Sequence, residues 1–309
     1  QLSALISSNS CPPKNSEDRF HYATLVWTFD TFRQHNVIMN LFLLDSSLTS
    51  VLGASVPTSV RSLLILATAA LIAGAINAIA GGGSLITFPA LLAVGLPSVT
   101  ANVTNTVALW PGTIGGSVAY RRELRCQSKR IWILGTVGFV GGLLGSFILL
   151  ISPQSVFDLI VPFLILFACG LLLVQKRIAK WILTSRDGKG ENLLSPGILL
   201  GQFLAAVYGG YFGAGLGIIT LAILGLFLDD DLQRINALKG VLTLIINGIA
   251  ALYFAVFGNV VWPLALLMAV CSWTGGFLGV RVARRLNPDV LRLLVVIYGI
   301  VVSIRLMLS

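Results

Sequence analysis

The sequence predicts an all-α polytopic membrane protein made of two inverted repeats, and three observations support this prediction. First, 56% of the 309 residues are apolar and only 11% are charged, whereas a soluble domain carries about 25% charged residues. Second, several long stretches contain no charged residue and no histidine. Third, the hydrophobic segments of the second half follow the same order as those of the first half.

Four stretches lack Asp, Glu, Lys, Arg and His, and they are Ser62–Tyr120, Ile131–Phe157, Asn192–Leu228 and Gly240–Val280. A bilayer core of roughly 30 Å needs about 20 apolar residues for each helical crossing. The longer stretches must therefore contain more than one crossing. The ten-residue alternation that is typical of membrane β-barrels is absent, so the spans are predicted to be helical.

The hydrophobic segments fall into two series of five. The first series is 62–80, 84–95, 99–120, 132–152 and 156–175, and the second is 195–209, 218–228, 235–257, 261–280 and 289–308. The segments 84–95 and 218–228 are too short to cross a bilayer, and glycines precede both. Each series is therefore predicted to be one glycine-tipped, re-entrant helical hairpin followed by three transmembrane helices.

A constant shift of 134 residues relates the two series, which we interpret as an internal duplication. The matched pairs are Gly81 with Gly215, Gly83 with Gly217, Asn102 with Asn236, Asn105 with Lys239, and Gly141-Gly142 with Gly275-Gly276.

Charge placement predicts that the two units are inverted. The loop 121–130 and the linker 176–191 are basic and should be cytoplasmic, because basic loops stay on that side. In the second unit the turn 258–259, which matches the first basic loop, is uncharged, whereas 281–292 is basic. The loop 121–130 is thus predicted inside and its copy outside.

The predicted organisation has four parts. Residues 1–58 form an N-terminal extension without a stable fold, with a periplasmic domain as the alternative, and 59–175 form the first repeat. A cytoplasmic linker, 176–194, joins it to the second repeat, 195–309. The expected location is the inner or plasma membrane, crossed several times. The net charge of +9 is assigned to orienting loops, so no nucleic-acid partner is predicted.

The two glycine tips are the predicted ligand site. Transporters with inverted repeats bind substrate at mid-membrane, where broken helices present their ends. The N–H groups of Gly82, Gly83 and Ser84 precede one short helix, with Ser84 as a candidate N-cap, and such an end attracts anions. The remaining tip residues in the prediction are Asn77 and Gly81 at the first tip and Tyr211, Gly215 and Gly217 at the second. The alternative is that the glycines only permit close helix packing, which is the favoured interpretation for Gly141-Gly142 and Gly275-Gly276.

Polar residues follow each hairpin and extend the predicted site. Asn102 and Asn105 share one helical face after the first hairpin, and Asn236 and Lys239 occupy the matching positions in the second. These side chains either bind substrate or satisfy the broken backbone of the hairpins. Lys239 either reaches towards the inner membrane surface or supplies a cation for an anionic substrate.

No enzymatic arrangement is visible. Among the acidic residues and histidines, only Asp158, near the outer end of its span, and Asp289, the first residue of the last segment, fall within the predicted spans. No paired carboxylates or Ser–His arrangement occur in the spans, and none of the four cysteines forms a CxxC pair. We therefore predict neither an enzyme nor a metal or cofactor site.

Two motifs resemble the sulfite exporter TauE/SafE family of membrane anion permeases. They are Asn77-Ala78-Ile79-Ala80-Gly81-Gly82-Gly83-Ser84, leading to Thr87-Phe88-Pro89-Ala90-Leu91, and Ala101-Asn102-Val103-Thr104-Asn105-Thr106 with Trp110-Pro111-Gly112. The resemblance covers roughly 60–309 and implies transport of small sulfur-containing or organic anions. The second copy is degenerate, because Ile223 stands at the position that matches Pro89.

The sequence thus predicts a transporter of small anions that works by alternating access, with sulfite or organosulfonates as the expected substrates. The alternative is a membrane scaffold or assembly protein whose glycines serve packing only; a polar cavity between the tips would favour transport and dry packing would favour a scaffold. The predicted partners are a small anion and the lipid bilayer. A coupling ion, H⁺ or Na⁺, and a homo-oligomer are both left open.

Overall fold

The computed structural model describes residues 59–79, 82–119, 123–124, 127–184, 195–283 and 288–308. The proposed N-terminal extension, residues 1–58, lies outside these ranges. Within them the chain forms ten α-helices and no strand. The helices are α1 (Val60–Ile79), α2 (Ser84–Ala93), α3 (Ser98–Ala119), α4 (Ser128–Ile151), α5 (Gln154–Thr184), α6 (Pro196–Tyr211), α7 (Leu216–Phe227), α8 (Leu232–Phe257), α9 (Trp262–Ala283) and α10 (Pro288–Leu308).

The helix boundaries repeat along the chain. Helices α8, α9 and α10 each begin 134 residues after α3, α4 and α5. The hairpins do not keep this shift, because α7 has 12 residues whereas α2 has 10. Gly83 directly precedes α2 and Gly215 directly precedes α7, so these two glycines are structural equivalents. The predicted pairing of Gly83 with Gly217, and of Gly81 with Gly215, is therefore wrong by half a helical turn.

Helices of the first series pack chiefly against helices of the second. Helix α1 packs on α9, and its equivalent in the second series, α6, packs on α4. In the same way α3 packs on α9, and its equivalent α8 packs on α4. The two remaining large contacts join equivalent helices, α3 with α8 and α5 with α10. Each of these contacts therefore either has a counterpart between the equivalent helices or joins two equivalent helices.

Equivalent helices cross at equivalent residues. The indole Nε1 of Trp110 donates to the carbonyl oxygen of Leu244, 134 residues later, at 3.3 Å. Ile165 meets Gly299, also its equivalent, with Cγ2 3.5 Å from where a glycine Cβ would lie. Val103 contacts Gly258 while Trp110 contacts the earlier Leu244, so α3 and α8 run antiparallel.

Glycines bring the paired helices into backbone contact. A Cβ on Gly145 of α4 would lie 2.0 Å from the carbonyl oxygen of Val207 in α6. At the matching interface, a Cβ on Gly275 of α9 would lie 2.0 Å from the carbonyl oxygen of Leu71 in α1. Gly141 and Gly142 face α6 and α8 at similarly short range. The packing interpretation of these glycine pairs is confirmed.

The outer surface of the bundle suits a lipid environment. Large apolar side chains on different helices face outwards, including Trp132 at 74% exposure and Val256 at 72%. Four helices in the described part are long and apolar enough to cross a membrane, and they are α1, α4, α5 and α8. The apolar helices α2 and α7 are too short to do so. The chain is therefore a membrane protein whose described part is all-helical.

Candidate functional site

Both glycine tips lie against the middle of α5. A Cβ on Gly82, in the first tip, would lie 3.0 Å from Leu172 Cδ1. A Cβ on Gly215, in the second tip, would lie 3.2 Å from Leu171 Cδ1. Because Leu171 and Leu172 are consecutive, the two tips approach the same level of the bundle.

The first tip differs in detail from the predicted anion cradle. Gly83 precedes α2 with an ordinary helical φ of −56°, and the positive φ of 95° belongs to Gly82. The main-chain N–H of Gly83 already donates to Asn77 Oδ1 at 2.8 Å. Ser84 is the first residue of α2 and makes no capping bond, so its predicted N-cap role is wrong.

Gly83 is also a packing glycine. A Cβ there would lie 2.6 Å from the carbonyl oxygen of Ala73 in α1. A valine at position 83 would collide with this backbone oxygen and disturb the packing of the tip. A loss of ligand binding in that variant would therefore not show that Gly83 contacts the ligand. The other predicted main-chain donors in this tip are the N–H groups of Gly82 and Ser84, and that of Ser84, as the first helical residue, has no intrahelical partner. Gly81 lies outside the described residues.

The polar face of α3 connects the two hairpins. Asn105 Oδ1 accepts a hydrogen bond from Thr87 Oγ1 of α2. Asn102 Nδ2 donates to the carbonyl oxygen of Tyr211, the last residue of α6, at 2.9 Å. Both asparagines are at most 2% exposed. Asn102 satisfies a backbone carbonyl group of a hairpin, as the structural alternative predicted, whereas Asn105 bonds a side chain. Thr87 is a member of the cluster that sequence reasoning missed.

The second tip is held by its own side chains. Tyr208 Oη donates to the carbonyl oxygen of Ala214 at 2.6 Å, which closes the tip across six residues. Gly213 and Gly215 both have φ of 78°, a conformation that favours glycine. The ring of Tyr211 packs edge-on against Phe157 of α5, with centroids 5.6 Å apart. Tyr211 thus contributes its carbonyl group to the tip, while its ring anchors the tip to α5.

Lys239 lies over the start of α7. Its Cδ is 3.9 Å from where a Cβ of Gly217 would be, and Thr243 follows one turn later at 4.0 Å. Lys239 Nζ donates to Asn236 Oδ1 at 3.1 Å. In the described part of the chain no carboxylate pairs with this ammonium group. The predicted residues Gly217, Asn236 and Lys239 are therefore brought together.

The site residues form two groups around the tips. One lies at the start of α2 and contains Asn77, Thr87 and Asn105; the other lies at the start of α7 and contains Gly217, Asn236 and Lys239. Asn102 connects the first group to the second tip. The side chains here pack closely. A groove of about 390 Å³ lies elsewhere, on the apolar outer face of α4 and α8, where Val140, Leu143, Leu144, Phe147 and Tyr253 line it.

A charged cluster fixes the loop before α8 to the start of α4. Asp230 pairs with Arg130 and, at 3.4 Å, with Arg234. Gln127, which is buried, donates to the carbonyl oxygen of Arg234 at 3.1 Å. Burial raises the pKa of Asp230, but the hydrogen bond and charge of Arg130 outweigh burial and hold that pKa below its usual range. This cluster ties the two repeats together at one end of the bundle.

Comparison with known proteins identifies the family. Residues 66–306 match the family described as "Sulfite exporter TauE/SafE", and the chain belongs to this family of membrane transporters. A "Probable membrane transporter protein" of Haemophilus influenzae is 32% identical over 248 residues, 79% of this chain and 94% of the relative.

More distant relatives carry similar descriptions. "Probable membrane transporter protein ORF9" of Sinorhizobium is 30% identical, over 79% of this chain and 92% of its own length. "Probable membrane transporter protein YfcA" of Escherichia coli K12 is 25% identical, over 77% of this chain and 87% of its own length. No solved structure matches the chain.

Proposed function

We propose that this chain moves a small anion, of the sulfite or organosulfonate type, by alternating access, and binds it at mid-membrane between the two tips. One observation carries the proposal: the Lys239 side chain lies over the N-terminal end of α7. A helix N-terminus carries a partial positive charge. A cationic side chain therefore lies next to a positive helix end, and no carboxylate within the described residues pairs with this lysine.

This arrangement favours an anionic ligand. A lone ammonium group inside a membrane protein is costly, and a neighbouring positive helix end adds to the cost. An anion bound at Gly217 and Lys239 would lower the electrostatic energy of both the ammonium group and the helix end. The start of α2, with the N–H of Ser84 and the amide of Asn105 nearby, offers a second set of donors.

The substrate class comes from the family. The family description names sulfite, whereas the relatives' descriptions name only membrane transport. Sulfite and sulfonates are compact oxyanions that main-chain N–H groups and one lysine can bind without a buried arginine.

The scaffold alternative rests on the tight packing around the tips. Alternating access also requires a state in which both tips are closed to solvent, so close packing does not decide between the two. Membership in a transporter family favours transport. A scaffold that is packed without ligand should have hydrogen-bond partners for its buried polar groups. The buried Oδ1 of Asn102 has no partner among the described residues, which also favours a ligand site.

Purified protein in proteoliposomes is expected to mediate flux of sulfite or sulfoacetate, with sulfate and taurine as comparison substrates and with or without a pH gradient. Sulfate stays a dianion at neutral pH whereas sulfite is partly monoprotonated, and taurine is a zwitterion without net negative charge, so both are expected to be slower than sulfite. Liposomes containing heat-inactivated protein provide the background. Anion flux no higher than this background for every substrate would contradict the proposal.

We also propose that the two repeats are inverted. Antiparallel α3 and α8, which cross at the equivalent residues Trp110 and Leu244, support this arrangement. After serine replacement of the native cysteines, Ser128→Cys is expected to react with a membrane-impermeant maleimide only from the cytoplasm, and Asn259→Cys only from outside. Both positions are exposed, whereas Gln127 is buried. Labelling of both from one side would exclude inversion.

A further inference from the structure

A buried hydrogen-bond acceptor without a donor lies at the second tip. Asn102 Nδ2 donates to the carbonyl oxygen of Tyr211, and Asn102 Oδ1, on the same amide, has no partner among the described residues. The amide cannot be reversed, because the Tyr211 oxygen only accepts. Asn102 is 1% exposed, so leaving its oxygen without a hydrogen bond or a ligand raises the free energy of the folded state.

Two further oxygens face the same tip. A Cβ on Gly213 would lie 3.1 Å from the carbonyl oxygen of Gly209 and 3.5 Å from Asn247 Oδ1 of α8. The absent side chain of Gly213 thus leaves a space that a main-chain and a side-chain oxygen both approach. Asn247 lies about two helical turns beyond Lys239 on α8, so α8 and α3 each bring one asparagine side chain to this tip.

The position in the fold adds a favourable field. Helix α6 ends at Tyr211, and the C-terminal end of a helix carries a partial negative charge with unpaired carbonyl groups. Interrupted helices inside membrane transporters use such ends for alkali cations. Among the described residues no cluster of His, Cys, Asp or Glu could hold a metal ion. Neutral oxygens alone suit a monovalent cation better than a divalent or transition metal.

We propose that the second tip binds a sodium ion, held by Asn102 Oδ1, Asn247 Oδ1 and the carbonyl oxygen of Gly209. The inference builds on the proposed anion transport. The cation lies at the negative end of α6 and the anion at the positive end of α7, so the two ends of one interrupted hairpin take ions of opposite charge. The sodium ion offsets the charge of the anion, which makes Na⁺ the coupling ion.

The test compares two glycines with the same backbone conformation. Gly213 and Gly215 both have φ of 78°, so alanine strains the backbone equally at each. Only at Gly213 does the new methyl group enter the space between the two oxygens, because the nearest atoms at Gly215 belong to Leu171 and Ala168. Asn247→Leu removes the oxygen, keeps the number and branching of side-chain heavy atoms, and provides a variant without a glycine replacement.

The measurement is the melting temperature of the purified full chain, titrated with NaCl against choline chloride at constant ionic strength, followed by anion flux in the same two salts. Sodium is expected to raise the melting temperature of the native protein and of Gly215→Ala, because a ligand of the folded state stabilises it. Gly213→Ala and Asn247→Leu are expected to weaken the apparent sodium affinity at least about tenfold. Flux is expected to depend on sodium in the native protein.

The outcomes separate this inference from the proposed function. Equal melting temperatures of the native protein in the two salts would overturn the sodium site, even if anion flux is present. Loss of the sodium effect in Gly215→Ala to the same extent as in Gly213→Ala would show that backbone strain, not the oxygen cradle, is responsible, and would also overturn it. A sodium effect without any anion flux would leave the site in place and contradict the proposed function.

Discussion

Replacing Gly145 by alanine is expected to lower the melting temperature of the purified protein by about 6 to 12 °C, because overpacking of a rigid contact costs about 3 kcal/mol and each kcal/mol shifts the melting temperature of a large domain by about 2–4 °C. The new methyl group would lie 2.0 Å from the carbonyl oxygen of Val207 and 2.9 Å from the nitrogen of Tyr211. Both are backbone atoms, so no side-chain rotation relieves the collision. Helices α4 and α6 must move apart.

The matched control is Gly170→Ala on α5. Gly170 lies inside a helix, and no atom lies within 4 Å of where its Cβ would be. Alanine there is expected to leave the melting temperature unchanged or to raise it slightly, because alanine is the better helix former. Equal melting temperatures of the two variants, measured in one detergent by the loss of monodisperse protein on heating, would show that the α4–α6 contact is not close-packed.

Separating α4 from α6 would also displace the second tip, because the tip follows directly from the end of α6. The contact between α4 and α6 joins the two repeats, and α1 with α9 forms the equivalent contact. Small residues at both interfaces let interrupted helices lie on intact ones at backbone distance. The tips are therefore positioned by contacts between repeats, not by the hairpin sequences alone.

The sequence predicts most of the helical framework. Uncharged stretches longer than one bilayer crossing and the 134-residue shift suffice for helices α3 to α5 and α8 to α10, because hydrophobicity and length decide membrane segments. The register of the tips could not be predicted in the same way. Helix α7 is two residues longer than α2, and nothing in the local pattern distinguishes an end at Gly215 from an end at Gly217.

The site was predicted by residue type but not by contact. Asn102 and Asn105 were recognised because amides are rare in a membrane span. Their partners, Tyr211 and Thr87, depend on tertiary packing, and Asn102 meets Tyr211 across 109 residues of sequence. The role of Gly83 was misjudged for a related reason. A glycine beside a helix start fits both a ligand cradle and a close helix contact, and only the position of Ala73 distinguishes them.

Replacing Lys239 is expected to have the largest effect on substrate affinity. Lys239→Gln keeps a hydrogen-bonding side chain and removes the charge, so anion affinity is expected to fall about tenfold, which corresponds to about 1.4 kcal/mol. Lys239→Glu places a negative charge over the start of α7 and is expected to reduce affinity at least about a hundredfold. The measurement is the concentration dependence of sulfite flux in proteoliposomes, with folded protein quantified in each preparation.

Lys129→Gln is the control, because Lys129 is an exposed lysine at the start of α4 and its loss changes the net charge equally. Affinity is expected to be unchanged in this variant. If Lys239 only directs its charge towards the membrane surface, Lys239→Gln will behave like Lys129→Gln, and the lysine is then no part of the anion site. A graded loss from glutamine to glutamate, with Lys129→Gln unaffected, is expected only if the anion binds where the ammonium group and the helix end converge.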